Sequence, residues 1–333
     1  DGTGGNILLR AALGGSIALP LDPLNDPGSN GANLLLAYGR GGDSQIEGST
    51  GGNGTGGTGT IEVDSGTFIT GATEFAVWGQ GGSSLEPTLN IAGGDGFGGT
   101  RRIRVLNGGE LTLELAGGIS GGLGGNGTGT GDGGNAFGGN SFVELVGGTL
   151  NIVGNFVWRD QTTGGIGNNG GDASGAGQGG GINFSATDSV ITFQPDANGE
   201  SSLVLGGMTR GGDGIATGGN ARAADAVLTL QNTDLGGINL TISPVAVGGN
   251  ASGAAGIGGN ATGSLASFNA ADSTIALLDE VVISADARGG TGGSQGSGGT
   301  GGNAQAGTAG VNFQNSQVTF AAASAQAGIL RVR

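Results

Sequence analysis

Residues 103–113, Ile103-Arg104-Val105-Leu106-Asn107-Gly108-Gly109-Glu110-Leu111-Thr112-Leu113, hold two short alternating runs joined by an Asn-Gly-Gly turn. Period-two alternation bounded by turn residues is the pattern of strands with one buried face. The first run recurs along the chain as Ile61–Val63, Ile103–Val105, Val143–Leu145, Ile182–Phe184, Leu228–Leu230, Ala266–Phe268 and Val311–Phe313. Between the last residues of these runs the spacings are 42, 40, 39, 46, 38 and 45 residues. A loose repeat of about 42 residues with variable loops is the signature of stacked units.

Each unit continues in the same way. A turn carrying Gly, Asn, Asp or Ser follows, as at Asp64–Gly66, Asn107–Gly109, Gly147-Gly148, Thr187–Ser189 and Asn315-Ser316. A second run comes next (Leu111–Leu113, Leu150–Ile152, Ile191–Phe193, Ile275–Leu277, Val318–Phe320), then a third (Phe75–Val77, Phe156–Trp158, Leu203–Leu205, Val245–Val247, Val281–Ile283). Three strands per unit, each pairing only with its copies, predict an all-β fold, a right-handed parallel β-solenoid of seven to eight coils. At about 4.8 Å per strand the rod would be about 35 Å long.

Glycine accounts for 84 of 333 residues and is concentrated after the third run. Residues 289–307 read in triplets, four of the six with two glycines, and similar phasing occurs at Gly51–Gly56 and Gly121–Asn126. Polyglycine II has three residues per turn and no internal hydrogen bonds, so its backbone groups must bond to neighbouring strands. Tracts recurring once per unit either stack as such arms or remain mobile loops. Asn or Asp follows a glycine pair at Asn6, Asp43, Asn53, Asp95, Asn126, Asn135, Asn140, Asp172, Asp213, Asn220, Asn250, Asn260 and Asn303. These suit corners, and stacked Asn can form side-chain ladders. Residues 1–59 depart from the pattern, with Pro20, Pro23 and Pro27 beside Leu34–Leu36 and Tyr38. They read as an irregular first coil with an insertion or as a cap; residues 60–333 carry the repeats.

The chain has no His, Cys or Lys, the residues that most often transfer protons or act as nucleophiles, and an enzyme is not expected. A net charge of −15 disfavours nucleic acid and anionic membranes as partners. Arg101, Arg102 and Arg104, the one basic cluster, read as a solvated strand face, and no run is long enough to span a membrane. Gly93–Gly96 and Gly211–Gly214 miss the calcium nonapeptide, because Gly98 and Ala216 stand where its required Asp belongs. Asp95, Asp132, Asp172 and Asp213 are left as candidate calcium ligands; no catalytic residue and no other cofactor is expected. Arg159 with Asp160, and Arg210 with Asp213, read as surface ion pairs.

The strand–turn–strand units with Gly147-Gly-Thr149-type turns resemble the β-strand repeats of bacterial autotransporter passengers and filamentous haemagglutinin-like adhesins. The glycine tracts resemble those of polyglycine II proteins. The first resemblance implies a right-handed β-helix, export to the cell surface with the signal outside this sequence, and a role in adhesion or matrix building. The expected function is an extracellular structural or adhesive solenoid, with copies of itself as partners through the coil ends; Arg331–Arg333, a strand-like finish, favours such continuation. An ice- or surface-glycan-binding module is the alternative, and a polysaccharide-active β-helix enzyme the third reading.

Overall fold

A computed structural model describes residues 1–19, 33–174, 181–293, 298–320 and 329–333, which are all-β, without a helix. Pro20, Pro23 and Pro27, and residues 294–297 of the triplet tract, lie outside the described residues.

The strands fall into parallel sheets in which sequence order is spatial order, the arrangement a parallel solenoid requires. One level illustrates the path. Gly96–Phe97 belongs to an eight-stranded sheet of two-residue strands, Thr100–Leu106 to an eight-stranded sheet of mostly seven-residue strands, and Glu110–Leu123 to a twelve-stranded sheet. The next level repeats it with Ala136–Phe137, Asn140–Val146 and Thr149–Thr163. In the short sheet Gly2, Gly54, Gly96, Ala136, Ala173, Ala221, Ala261 and Ala304 are in register, so neighbouring levels are 37 to 52 residues apart.

Sequence and structure differ in two places. The second and third runs are one long strand in five of the levels, for example Thr67–Gln80 and Asp234–Val247. Register shifts near Glu114 and Ala116 mark where that strand bends. The remaining wall is built by the two-residue strands, which are too short to show alternation. In the seven-residue sheet, Val143 pairs with Phe184 and Leu228 with Phe268, so two of the runs align two residues away from the sequence spacing. A two-residue slip preserves which face is buried, and alternation cannot detect it. Ala186 and Ala270 therefore stack beneath Leu145 and Leu230, and all four are buried.

The corner between these strands carries a left-handed residue in every level: Leu13, Ser65, Asn107, Asp188, Asn232, Asp272 and Asn315 at φ of 46–57° and Gly147 at 63°, with Gly14 and Gly108 also left-handed after Leu13 and Asn107. Left-handed backbone costs an ordinary residue about 1–2 kcal/mol, less for Asn and Asp, whose side chains bond locally. Leu13 has neither advantage and stands 96% exposed in the first level. Between the walls runs one continuous apolar core, including Val63, Val105, Leu145, Phe156, Leu205, Ile242 and Ile283. Burying a side chain of this size contributes about 1.5–3 kcal/mol, which is how a chain with only 4% aromatic residues stays folded.

Candidate functional site

At the end of each long strand the chain leaves the core on an outgoing arm and returns on a second arm to the next two-residue strand. Each arm carries a glycine pair: 41–42, 81–82, 124–125, 164–165, 211–212, 248–249 and 289–290 outgoing, and 51–52, 93–94, 133–134, 170–171, 218–219, 258–259 and 301–302 returning. The first glycine of a pair bonds to the matching arm of the following level, as Gly124 N–H does to Thr163 C=O at 2.9 Å. The second bonds across to the other kind of arm. Gly52 donates to Gly42, Gly82 to Gly52, Gly94 to Gly82, Gly125 to Gly94 and Gly134 to Gly125; this zigzag continues through Gly165, Gly171, Gly212, Gly219, Gly249, Gly259 and Gly290 to Gly302, at 2.8–2.9 Å throughout. A Cβ on Gly134 would lie 1.9 Å from the Gly94 oxygen. Only glycine permits this approach. Along their glycine pairs the arms are thus bonded laterally to one another.

The Asn and Asp residues that follow the glycine pairs form ladders. On the return arms Asp1, Asn53, Asp95, Asn135, Asp172, Asn220 and Asn260 each accept, through Oδ1, the backbone N–H of the counterpart one level later, ending at Asn303, at 2.7–3.0 Å. On the outgoing arms Asp43, Ser83 (through Oγ) and Asn126 accept in the same way until Ile166 interrupts, and Asp213 and Asn250 resume. Three of the four candidate calcium ligands, Asp95, Asp172 and Asp213, are rungs of these ladders. The fourth, Asp132, accepts from Asn169 N and Nδ2, while Thr217 donates to Asn169. These aspartates lie on four different levels, and among the described residues no three acidic side chains gather as a cation cage.

The ladder divides the return-arm face into two grooves. One, of about 450 Å³, has a glycine floor at Gly133, Gly170, Gly171 and Gly218 between the row Asp132, Asn169, Thr217 and the row Asn135, Asp172, Asn220. The other, of about 400 Å³, has Ala136, Ala173 and Ala221 beneath it, with Phe137, Arg222 and Thr262 on its far side. Phe137 stacks on Phe97, ring centroids 4.8 Å apart and planes 7° apart, and is 38% exposed.

The three clustered arginines have three different settings. Arg104 bridges Glu62 and Glu144 at 2.9 Å each, and Arg10 reaches Glu62 from the other side, so four alternating charges climb the seven-residue sheet. Arg102 lies over the Phe142 ring at 5.0 Å. Arg101 corrects the solvated reading, because it is fully buried. Its Nε donates to Ser141 Oγ at 2.7 Å, its Nη2 to Arg159 C=O at 2.7 Å and its Nη1 to Phe75 C=O at 3.2 Å. The guanidinium carbon stands 3.8 Å from the Trp158 ring centre. Burial pushes its pKa well below the usual arginine value, and nearby Asp160 opposes that shift. Gly118 makes room, since a Cβ there would lie 2.0 Å from Arg101 Nη1. The missed signal was parity: Arg101 shares its face with Ile103 and Val105, the residues that identified the strand.

Asp160 corrects the second reading. Arg159 points outward and Asp160 inward, 2% exposed, so the two neighbours form no surface pair. Burial raises the Asp160 carboxyl to about 7, against the hydroxyl of Thr162, the charge of Arg101 and the N–H of Gly139, which favour the ionised form. Its Oδ2 has no hydrogen-bond partner among the described residues. Arg210 and Asp213 do pair, at 2.8 Å. Comparisons with protein families, curated proteins and solved structures give no match for this chain.

Proposed function

We propose that this chain is an extracellular, non-catalytic structural or adhesive rod: a right-handed β-solenoid of eight coils whose arms pack as polyglycine II. Right-handed crossover is the rule between parallel strands, and lateral bonding of three-residue-period glycine arms is what polyglycine II requires. The resemblance to cell-surface adhesin repeats and the lack of His, Cys and Lys support the surface role and the absence of catalysis.

One observation carries the reading: sheets, glycine zigzag and Asn/Asp ladders all repeat along a single axis, level after level. Such a stack binds more of its own kind through its open edges. In the first level Ile7, Leu9, Ile17 and Leu35 are core positions only partly covered, and in the last Val311, Phe313 and Val318 are. Further coils of the same pattern, in the same chain or a second copy, fit these edges. Electron microscopy of the purified protein at rising concentration tests the assembly, with filaments one rod wide as the expected result. Short, strictly monomeric particles at high concentration would remove self-assembly from the proposal.

A further inference from the structure

In the short sheet the backbone register runs from Phe137 through residue 174 to Arg222, which puts Phe137 and Arg222 two levels apart on one row. Two strand spacings, about 9–10 Å, separate the backbones of Phe137 and Arg222, and both residues line the same groove. Phe97 covers one face of the Phe137 ring, and Phe137, 38% exposed, lines the groove. The ladder forms the side wall. Oδ1 of Asp172 is occupied, accepting Asn220 N at 2.8 Å and Asn220 Nδ2 at 3.2 Å. Its Oδ2 makes no hydrogen bond among the described residues, and neither does the Asn135 amide nitrogen, whose own Oδ1 accepts from Asp172 N at 3.0 Å. Arg222 is exposed and has no ion-pair partner among the described residues. An aromatic face, a free acceptor and two free donors therefore converge on one open groove of about 400 Å³.

We propose that this groove binds a pyranose residue of a neutral glycan, one of its C–H faces on Phe137 and its hydroxyls on Asp172 Oδ2, Asn135 Nδ2 and Arg222. A sugar ring has the matching composition, an apolar C–H face surrounded by hydroxyls that both donate and accept. The ladder already fixes the wall side chains, so little freedom is lost on binding. Neutrality follows from Asp172 in the wall and the net charge of −15, which repel uronates and sulfated sugars. The inference rests on the extracellular reading above and gives that surface an adhesive target.

The test is saturation-transfer NMR of the intact protein with cellohexaose, laminarihexaose, mannohexaose and chitohexaose, and with oligogalacturonate as the acidic comparator. At least one neutral hexasaccharide should bind, through its ring protons, while the acid does not. Phe137→Ala should weaken that binding about tenfold or more, as truncating a stacking anchor does. Arg222→Ala, which changes only an exposed side chain, should weaken it as well, and Val190→Thr on another wall should not. Silence from all four neutral sugars at millimolar concentration overturns the proposal. So does binding that both Phe137→Ala and Arg222→Ala leave unchanged, or equal binding of the acid. Micrographs of the same samples separate the two proposals, since filaments without sugar binding remove only this one, and binding by monomers removes only self-assembly.

Discussion

Asp160 occupies an inward position on a strand whose other inward residues include Phe156 and Trp158, and its consequence is a pH dependence of unusual sign. In the unfolded chain the carboxyl titrates near 3.8, and in the folded rod near 7. The folded state thus holds this proton where the unfolded state has released it. The stabilisation is complete below pH 3.8 and is lost as pH rises through 7. A shift of this size corresponds to roughly 4 kcal/mol. Asp160→Asn keeps an oxygen for the Gly139 N–H and the Thr162 hydroxyl while removing the charge. The variant should match the natural protein in urea midpoint near pH 4 and exceed it increasingly up to pH 8. A constant difference across that range would show that ionisation of Asp160 is not what limits stability. At this scale the sequence was only partly legible. The left-handed corners at Asn107, Asp188 and Asn315 are readable because Asn and Asp are the residues that tolerate them. Arg101 and Asp160 were misread because charge was weighed before strand parity.

The arms are the element on which most of the architecture turns, and their glycines are not equivalent. Gly42 and Gly134 are both second glycines of a pair. A Cβ on Gly134 would lie 1.9 Å from the Gly94 oxygen, whereas one on Gly42, in the first of the described levels, meets nothing within 4 Å. Gly134→Ala should therefore cost on the order of 3 kcal/mol, from overpacking together with a displaced hydrogen bond. Gly42→Ala should stay within about 0.5 kcal/mol of the natural protein. Equal costs in a urea titration would mean that the arms are not packed against one another. The recurring glycine pairs and the Asn/Asp that follow them were visible in the triplet phasing. Which arm bonds to which was not, because that depends on where chain segments far apart in sequence come to lie. The two grooves were invisible for the same reason: their walls come from residues on three or more levels. The rows could be assembled only once Phe137, Ser174 and Arg222 were known to share a register.

For the whole molecule, each level contacts chiefly its neighbours, so stability is a sum of similar steps and not the property of one closed core. Pulling the chain from its two ends should release it level by level. A level of about 40 residues at about 3.4 Å per residue gives lengthening steps of roughly 140 Å in a single-molecule force trace. One all-or-none rupture would contradict independent levels. This scale was the most legible in the sequence, since the 42-residue spacing survived even where individual runs were misaligned by two. The ladders add a property that spacing alone does not carry. In every rung the side-chain oxygen belongs to the earlier level and the amide to the later one. The rod is therefore a vector, with one face of spare acceptors and one of spare amides. Two such rods can meet through these groups only when they point the same way, so anything they build has a front and a back.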